Sequence, residues 1–384
     1  MTTNTSGRVV VQAGVPVANP WLFHRAPFAA GDAAVFFDIP GDGTTLILRD
    51  IECDRAKQAN IADHIHAPRE FTPDGGLSGD RDTASAQAAA EFAVRRGIRE
   101  VWSGRSMPLI FAHFFKERGV DVRCDPNLGV LERRAKSDRE VAALARAQRK
   151  TEGAVRFACE MIANANADAN GDLSAGGSPL TAERMHNEIN MWLLQHGMDT
   201  CTSIVAGGPQ GADCHNRGAG RLRTGEPIII DIFPMDPSSR YYGDCTRCVV
   251  HGDIPDIVQR IHDATAEAKH AALAVTRAGA TGEEVHQAAC DVFTELGYAI
   301  GLPESPDDDS IRYVHGTGHG VGLDVHEPPL LDFKGPELVV GDCLTIEPGL
   351  YGPKVGGVRI EDMVIVRPDG CDNLNTLPET LVWK

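Results

Sequence analysis

The sequence predicts a two-domain chain, a small α/β domain followed by a larger α+β domain. Three observations point there. At 384 residues the chain exceeds the size at which a single hydrophobic core usually keeps growing. Its first third alternates strand-like and helix-like runs, and from residue 201 onward short β-runs separated by glycine turns alternate with helices, the pattern of segregated helix and antiparallel sheet.

In order along the chain, AAVFFDIP and TTLILRD are β-rich runs joined by PGDG, a strong turn signal. A helical stretch over 85–96 leads to the strand-like REVWSG, then to LIFAHFFKERG, a helix with a glycine stop, and to the strand-like VDVRCD. The polar clusters of this segment read as ordinary surface, so it receives no catalytic role. The boundary falls near residue 135, giving domains 1–135 and 136–384. Just beyond it, SDREVAALARAQRKTEGAVRFACEMIANANA has helical apolar spacing, with Ser137 or Asp138 as the cap. LTAERMHNEINMWLLQHG is a second helix, capped by Thr181 and stopped at Gly197. The β-runs TSIVAGG, EPIIIDIFP, RCVVHG, CLTIEPGLY and VRIEDMVIV follow, interrupted by helices over 256–277 and 281–296.

Composition limits the function. Hydrophobic residues make up 42% and charged residues 24%, as in ordinary globular proteins. Lys and Arg total 37 against 54 Asp and Glu, a net charge of -17, which disfavours nucleic acid and anionic membrane surfaces. No run of about 18 apolar residues occurs, and MTTNTSGRVVVQ has no leader-like pattern, so a cytoplasmic location and no membrane partner are expected. Most of the ten cysteines lie in apolar contexts and read as small hydrophobes. Cys245-Thr246-Arg247-Cys248 is a CxxC without a second one, and Cys245 reads as core.

The stretch HGTGHGVGLDVHE, residues 315–327, holds three histidines and four glycines, too many glycines for a helix. It reads as a strand or loop where backbone approaches a neighbour closely. Alone, its imidazoles would be hydrogen-bonded turn residues. Four carboxylates change the weighing: Asp231 after Ile228-Ile229-Ile230, Asp244 before Cys245, Glu347 after Leu344-Thr345-Ile346, and Glu361 within VRIEDMVIV. Carboxylates in buried strands are costly unless paired or coordinated to metal. Salt bridges to Arg247 or Arg359 are one reading and a single ion another. Carboxylates with one imidazole suit Mn²⁺, Fe²⁺ or Co²⁺, with Zn²⁺ an alternative, and too many acids for one ion point to two. Ions about 3.5 to 4 Å apart can hold a hydroxide between them for hydrolysis.

IIIDIFPMDPSSRYYGDCTR, HGTGHGVGLDVHE, CLTIEPGLY and VGGVRIEDMV resemble, in order and spacing, the signature segments of the M24 metallopeptidases with the pita-bread fold. The preceding α/β domain is similar to the creatinase-type N-terminal domain of the proline-specific branch. The resemblance implies Asp231, Asp244, His319, Glu347 and Glu361 as ligands of two divalent ions, Mn²⁺ the best match, with Asp244 and Glu361 bridging. It implies Glu347 as proton carrier, His215 or His326 as oxyanion stabiliser, and His215, His315 and His326 as substrate-binding residues. Gly318 and Gly320 are expected to let His319 approach an ion. Arg359, two residues before Glu361, is expected to share its face on one strand and orient it as an outer partner.

The implied activity is hydrolysis of Xaa-Pro bonds in short peptides, as aminopeptidase or dipeptidase, by a homodimer. A relative with another substrate, either a non-proline peptide or an amidino compound as in creatinase, is the alternative, as is a non-catalytic peptide-binding module. Two features depart from the family pattern. The segment from Asp231 to Asp244 runs thirteen positions, longer than usual, with Pro237-Ser238-Ser239 as turn material, and Asp-Ile-Phe-Pro replaces the commoner Asp-Xaa-Gly.

Overall fold

The computed structural model describes residues 7–305 and 307–384; the first six residues read above for a leader segment, and Pro306 of the acidic loop, lie outside them. The chain divides into two compact units between Arg133 and Arg134.

The first unit is built on a six-stranded mixed sheet in the order His64–His66, Gly43–Ile47, Ala34–Ile39, Val10–Gly14, Glu100–Ser103, Asp121–Cys124. Alternation along the Ala34–Ile39 strand sends Phe37 to a core with Phe92, Phe111 and Phe115, and Phe36 to another with Leu22 and Leu46. The helix expected over 85–96 runs Arg81–Arg95. Asp80 caps it by accepting from the Thr83 N–H at 2.9 Å. Its first turn is polar and carries no apolar period, so only the cap marks the start.

The second unit opens with the long helix Asp138–Ala163, where Ser137 and Glu140 form a reciprocal capping box. Thr181 caps Ala182–Gln195 by accepting from the Arg184 N–H, and Thr281 caps Gly282–Glu295. An antiparallel sheet joins Ile204–Gly207, Pro227–Ile232 and Cys245–Val250. Its two faces serve different cores: Ile229 and Cys248 pack with the Asp256–Val275 and Gly282–Glu295 helices, whereas Ile228, Ile230 and Cys245 pack with Asp138–Ala163. Cys245 and Cys248 therefore point into separate apolar clusters, where burial pushes both thiols up, and do not share a ligand.

VRIEDMVIV is not one strand. It splits into Gly356–Arg359, in a four-stranded sheet, and Asp362–Arg367, in a five-stranded sheet. CLTIEPGLY splits likewise into Cys343–Ile346 in the five-stranded sheet and Gly349–Gly352 in the four-stranded one. The ladders on either side of the break end at the pairs Ile346 with Asp362 and Gly349 with Arg359. Glu347 and Glu361 thus occupy the same interruption, one on each paired segment, where side chains are released from strict alternation.

Behind the break, fully buried Arg247 donates to the Glu361 carbonyl at 2.5 Å, to Asp362 at 2.7 Å and to the Pro378 and Leu377 carbonyls at 3.1 Å. Lys269 also contacts Asp362, as well as Glu379 at 2.5 Å. Replacing Arg247 with Leu leaves several acceptors unpaired and should cost about 3–5 kcal/mol. Urea unfolding reads this directly, and an unchanged midpoint would remove Arg247 from the account.

Candidate metal centre

Asp231 lies in the middle sheet strand opposite Thr246, and Asp244 stands two positions from Thr246, so alternation puts all three on one face. Asp244 is fixed from behind by the long helix. Gln148 accepts from its N–H at 2.8 Å and donates to its carbonyl at 2.6 Å. Gly243 makes this approach feasible, since a Cβ there would run into Thr151 and the Ala147 carbonyl. The long connection between the two aspartates closes as a hairpin: Met235 bridges Tyr242, and Asp236 accepts from the Ser238 N–H at 3.0 Å.

From the other side, the Glu361 N–H donates to the Thr246 carbonyl at 3.2 Å, and the Thr246 hydroxyl donates to Glu361 Oε2 at 2.7 Å. His319 sits on the short strand Gly318–Gly320. Its Nδ1 faces the Gly320 carbonyl at 3.1 Å, which makes Nδ1 a donor, so that Nε2 is the nitrogen that loses its proton when a cation binds. Nε2 points at Glu347 Oε1, 3.3 Å away, and Asp244 Oδ2, 3.8 Å away. One ligand atom each from Asp244, His319 and Glu361 lie within 4.8 Å of one another. Asp231, Asp244, His319, Glu347 and Glu361 all line a single cavity of ≈ 420 Å³.

The flanking glycines are also required by the packing of the protein itself. A Cβ at Gly318 would overlap the Thr345 carbonyl, and one at Gly320 would lie 2.5 Å from the Pro328 carbonyl. They admit the adjacent strands. The expectation that Arg359 shares a strand face with Glu361 fails, because the sheet break lies between them. Arg359 instead donates to Asp231 Oδ2 at 2.6 Å, to the Tyr351 hydroxyl at 2.9 Å and to Thr246 Oγ1 at 3.3 Å. It orients a different carboxylate.

Electrostatics set this place apart. Burial, reinforced by the charge of Glu361, holds Asp244 well above the usual carboxylate range. Burial and then the charge of Glu347 do the same to Glu361. Burial raises Asp231 despite the Arg359 guanidinium. Glu347 goes the other way, to about 2: burial opposes ionisation, but the hydrogen bond and charge of His319 outweigh it. Asp231 Oδ1 is buried and has no hydrogen-bond partner among the described residues. Of the carboxylates Asp231, Asp244, Glu347 and Glu361, Arg359 pairs closely only with Asp231, so the donors fit divalent cations.

The remaining expected residues take varied positions. His215 is exposed on the cavity wall, and His326 packs against the His319 ring with centroids 4.2 Å apart. Both rings face the space beside the ligands. His315 differs: Nδ1 lies 2.7 Å from the Gly316 carbonyl and Nε2 2.8 Å from the Tyr351 hydroxyl. With both nitrogens engaged, and burial depressing its pKa to about 4, it is a neutral link in the chain Arg359, Tyr351, His315 rather than a free substrate donor. Thr246, Tyr351 and Gln148 were missed in the sequence. Thr246 had a signal, its two-residue offset from Asp244, and Tyr351 lay inside CLTIEPGLY; Gln148, on a distant helix, had none.

Residues 142–368 match Metallopeptidase family M24. The chain belongs to this family. Among curated relatives, the M24 chain is 38% identical over 182 residues to "Probable dipeptidase PepE" of Mycobacterium tuberculosis (strain H37Rv), covering 47% of this chain and 45% of the relative. It is 31% identical over 182 residues to "Xaa-Pro dipeptidase" of Pyrococcus furiosus, covering 47% and 49%. The match thus spans about half the length of these relatives. The solved Xaa-Pro dipeptidase from Bacillus anthracis superposes with a TM-score of 0.80 at 23% identity, over 97% of this chain and 94% of that one. The likeness shows the shared fold, and the M24 chain has the α+β pita-bread architecture expected. Membership implies use of a divalent metal. No helix among the described residues is long and apolar enough to cross a membrane.

Because Asp244 and Glu361 hold their protons to higher pH than ordinary carboxylates, a cation must displace those protons to bind. Mn²⁺ affinity should therefore strengthen as pH rises, with net proton release visible in calorimetric titrations across buffers of different ionisation enthalpy. Arg359→Gln should weaken Mn²⁺ binding about 10- to 100-fold by freeing Asp231. Unchanged affinity in the variant would show that Asp231 needs no orienting partner.

Proposed function

We propose that this chain is a cytoplasmic, divalent-metal-dependent exopeptidase that hydrolyses Xaa-Pro bonds in short peptides, as an Xaa-Pro dipeptidase or aminopeptidase. The observation that carries the reading is the convergence of Asp231, Asp244, Glu347, Glu361 and His319 on a single cavity, with Arg359 paired to Asp231. The names of the relatives support the peptide class. Asp231, Asp244, His319, Glu347 and Glu361 would hold two ions, Mn²⁺ the best match and Co²⁺, Fe²⁺ or Zn²⁺ the alternatives. We further propose that residues up to about 135 form a creatinase-type N-terminal domain, that 136–384 form the catalytic domain, and that the enzyme works as a homodimer.

When bound, such ions supply Lewis acidity, polarising an amide carbonyl and acidifying a water near neutral pH. The side chains do the rest. Glu347 is a carboxylate at neutral pH with its Oε1 accepting from the Thr345 hydroxyl at 3.2 Å, and it is partly exposed to the cavity. It is suited to take a proton from the attacking water and return it to the leaving nitrogen. His215 and His326, with rings on the cavity surface, would donate to the oxygen that gains charge as the carbonyl becomes tetrahedral. His315 contributes indirectly, by holding Tyr351 and through it Arg359 and Asp231. Ile204, Phe233, Val325 and Leu330 give the cavity an apolar lining for the substrate's hydrocarbon parts.

A panel of Xaa-Pro dipeptides, Xaa-Pro-Yaa peptides and Met-Ala peptides, each with Mn²⁺, Co²⁺ and Zn²⁺, tests the reading. Turnover should concentrate on Xaa-Pro bonds, and a panel in which proline makes no difference would overturn the specificity. Glu347→Ala should lower kcat by about 10³-fold while circular dichroism stays native. Retained turnover would take Glu347 out of the proton path.

A further inference from the structure

We infer that Arg217 is the specificity residue that binds a free α-carboxylate on the substrate, so that the enzyme prefers dipeptides over longer peptides and over C-terminal amides. The inference deepens the exopeptidase reading above and rests on it for the identity of the ligand.

The charged groups of the cavity leave one cation without an anion. The carboxylates that line it are Asp231, Asp244, Glu347, Glu361 and Asp332, and the guanidinium groups are Arg359 and Arg217. Arg359 is buried and committed to Asp231 and Tyr351. Arg217 is exposed and forms no ion pair among the described residues. Its one side-chain hydrogen bond runs from Nε to the Ser203 carbonyl at 3.5 Å, which leaves both terminal nitrogens open. A planar guanidinium with two free N–H-bearing nitrogens matches the two oxygens of a carboxylate.

The backbone holds this residue firmly although its side chain is free. The Arg217 carbonyl accepts from the Val205 N–H at 3.1 Å and faces His186 Nε2 at 3.0 Å, where the ring is the donor. The other ring nitrogen, Nδ1, faces the Ser203 hydroxyl at 2.8 Å. Gly218 follows with φ +79, and a Cβ there would overlap the Val205 carbonyl, so the turn lies hard against the Ile204–Gly207 strand. That strand pairs with Asp231 through Ile204, and His215 stands two residues before Arg217 on the same cavity wall. The base of the guanidinium is thereby tied to the sheet that carries a ligand aspartate. A positive group anchored on one wall of an otherwise acidic cavity selects the charge of the substrate's end: a carboxylate is attracted there, and an amide or continuing chain gains nothing.

The test compares glycyl-L-proline with glycyl-L-prolinamide on the full chain and on Arg217→Gln and Arg217→Lys. In calorimetry with chelator present, so that no bond is cleaved, the wild type should bind the acid about 10- to 100-fold more tightly than the amide. The preference should vanish in Arg217→Gln and return in part in Arg217→Lys, and it should shrink with added salt because Arg217 is exposed. With Mn²⁺, the acid should have the lower KM in the wild type, and that KM advantage over the amide should be lost in Arg217→Gln. Equal binding of acid and amide by the wild type, undetectable binding of both, or a preference that survives in Arg217→Gln would each overturn the inference. A carboxylate preference without hydrolysis under any metal would instead sink the exopeptidase reading and leave Arg217 standing.

Discussion

The mutual repulsion of buried carboxylates is the constraint on which the rest of the second unit depends. Asp231, Asp244 and Glu361 are each nine-tenths buried or more. Left to themselves, such groups separate, protonate or reach solvent. Here each is held in place by something outside the cluster: Asp231 by Arg359, Asp244 by the Gln148 amide from a remote helix, and Glu361 by Arg247 on its carbonyl and Thr246 on its carboxylate. A fold spends structure in this way on keeping like charges together only where a cation will complete them, and family membership agrees.

The sheet architecture is the means of doing so. One aspartate lies inside a strand and another just before the next, so a single face of a three-stranded sheet presents both. The glutamates come from a place where two strands change sheets together, and that shared interruption brings Glu347 beside Glu361 without any loop reaching across. The glycines around His319 let this region pack tightly, because the carbonyls of Thr345 and Pro328 occupy the room that side chains would need. Local backbone economy and the site's chemistry are therefore one arrangement.

Much of this was legible in the sequence, for identifiable reasons. Helix caps at Ser137, Thr181 and Thr281 are local chemistry, and they mark their elements as expected. The α+β class followed from alternating patterns, and the five candidate ligands from carboxylates and glycine-flanked histidine in apolar runs. What the sequence hid was non-local. VRIEDMVIV has the hydrophobicity of one continuous strand, since both of its halves are buried, and nothing in it marks the change of sheet at Ile360. The partner of Arg359 was consequently misjudged. His315 reads in the sequence as a substrate-binding residue because it shares a motif with His326, whereas Tyr351 and Gly316 engage its two nitrogens. The contribution of Gln148 could not be read at all, for a helix periodicity says which face is buried and not which strand lies under it.

Counting metal in crystals and in solution tests the central claim most directly. After loading with Mn²⁺ and dialysis, plasma mass spectrometry should find two equivalents per chain, and anomalous scattering should place both among Asp231, Asp244, His319, Glu347 and Glu361. Less than about one equivalent, or density elsewhere in the chain with these five side chains paired only to one another and to Arg359, would contradict it.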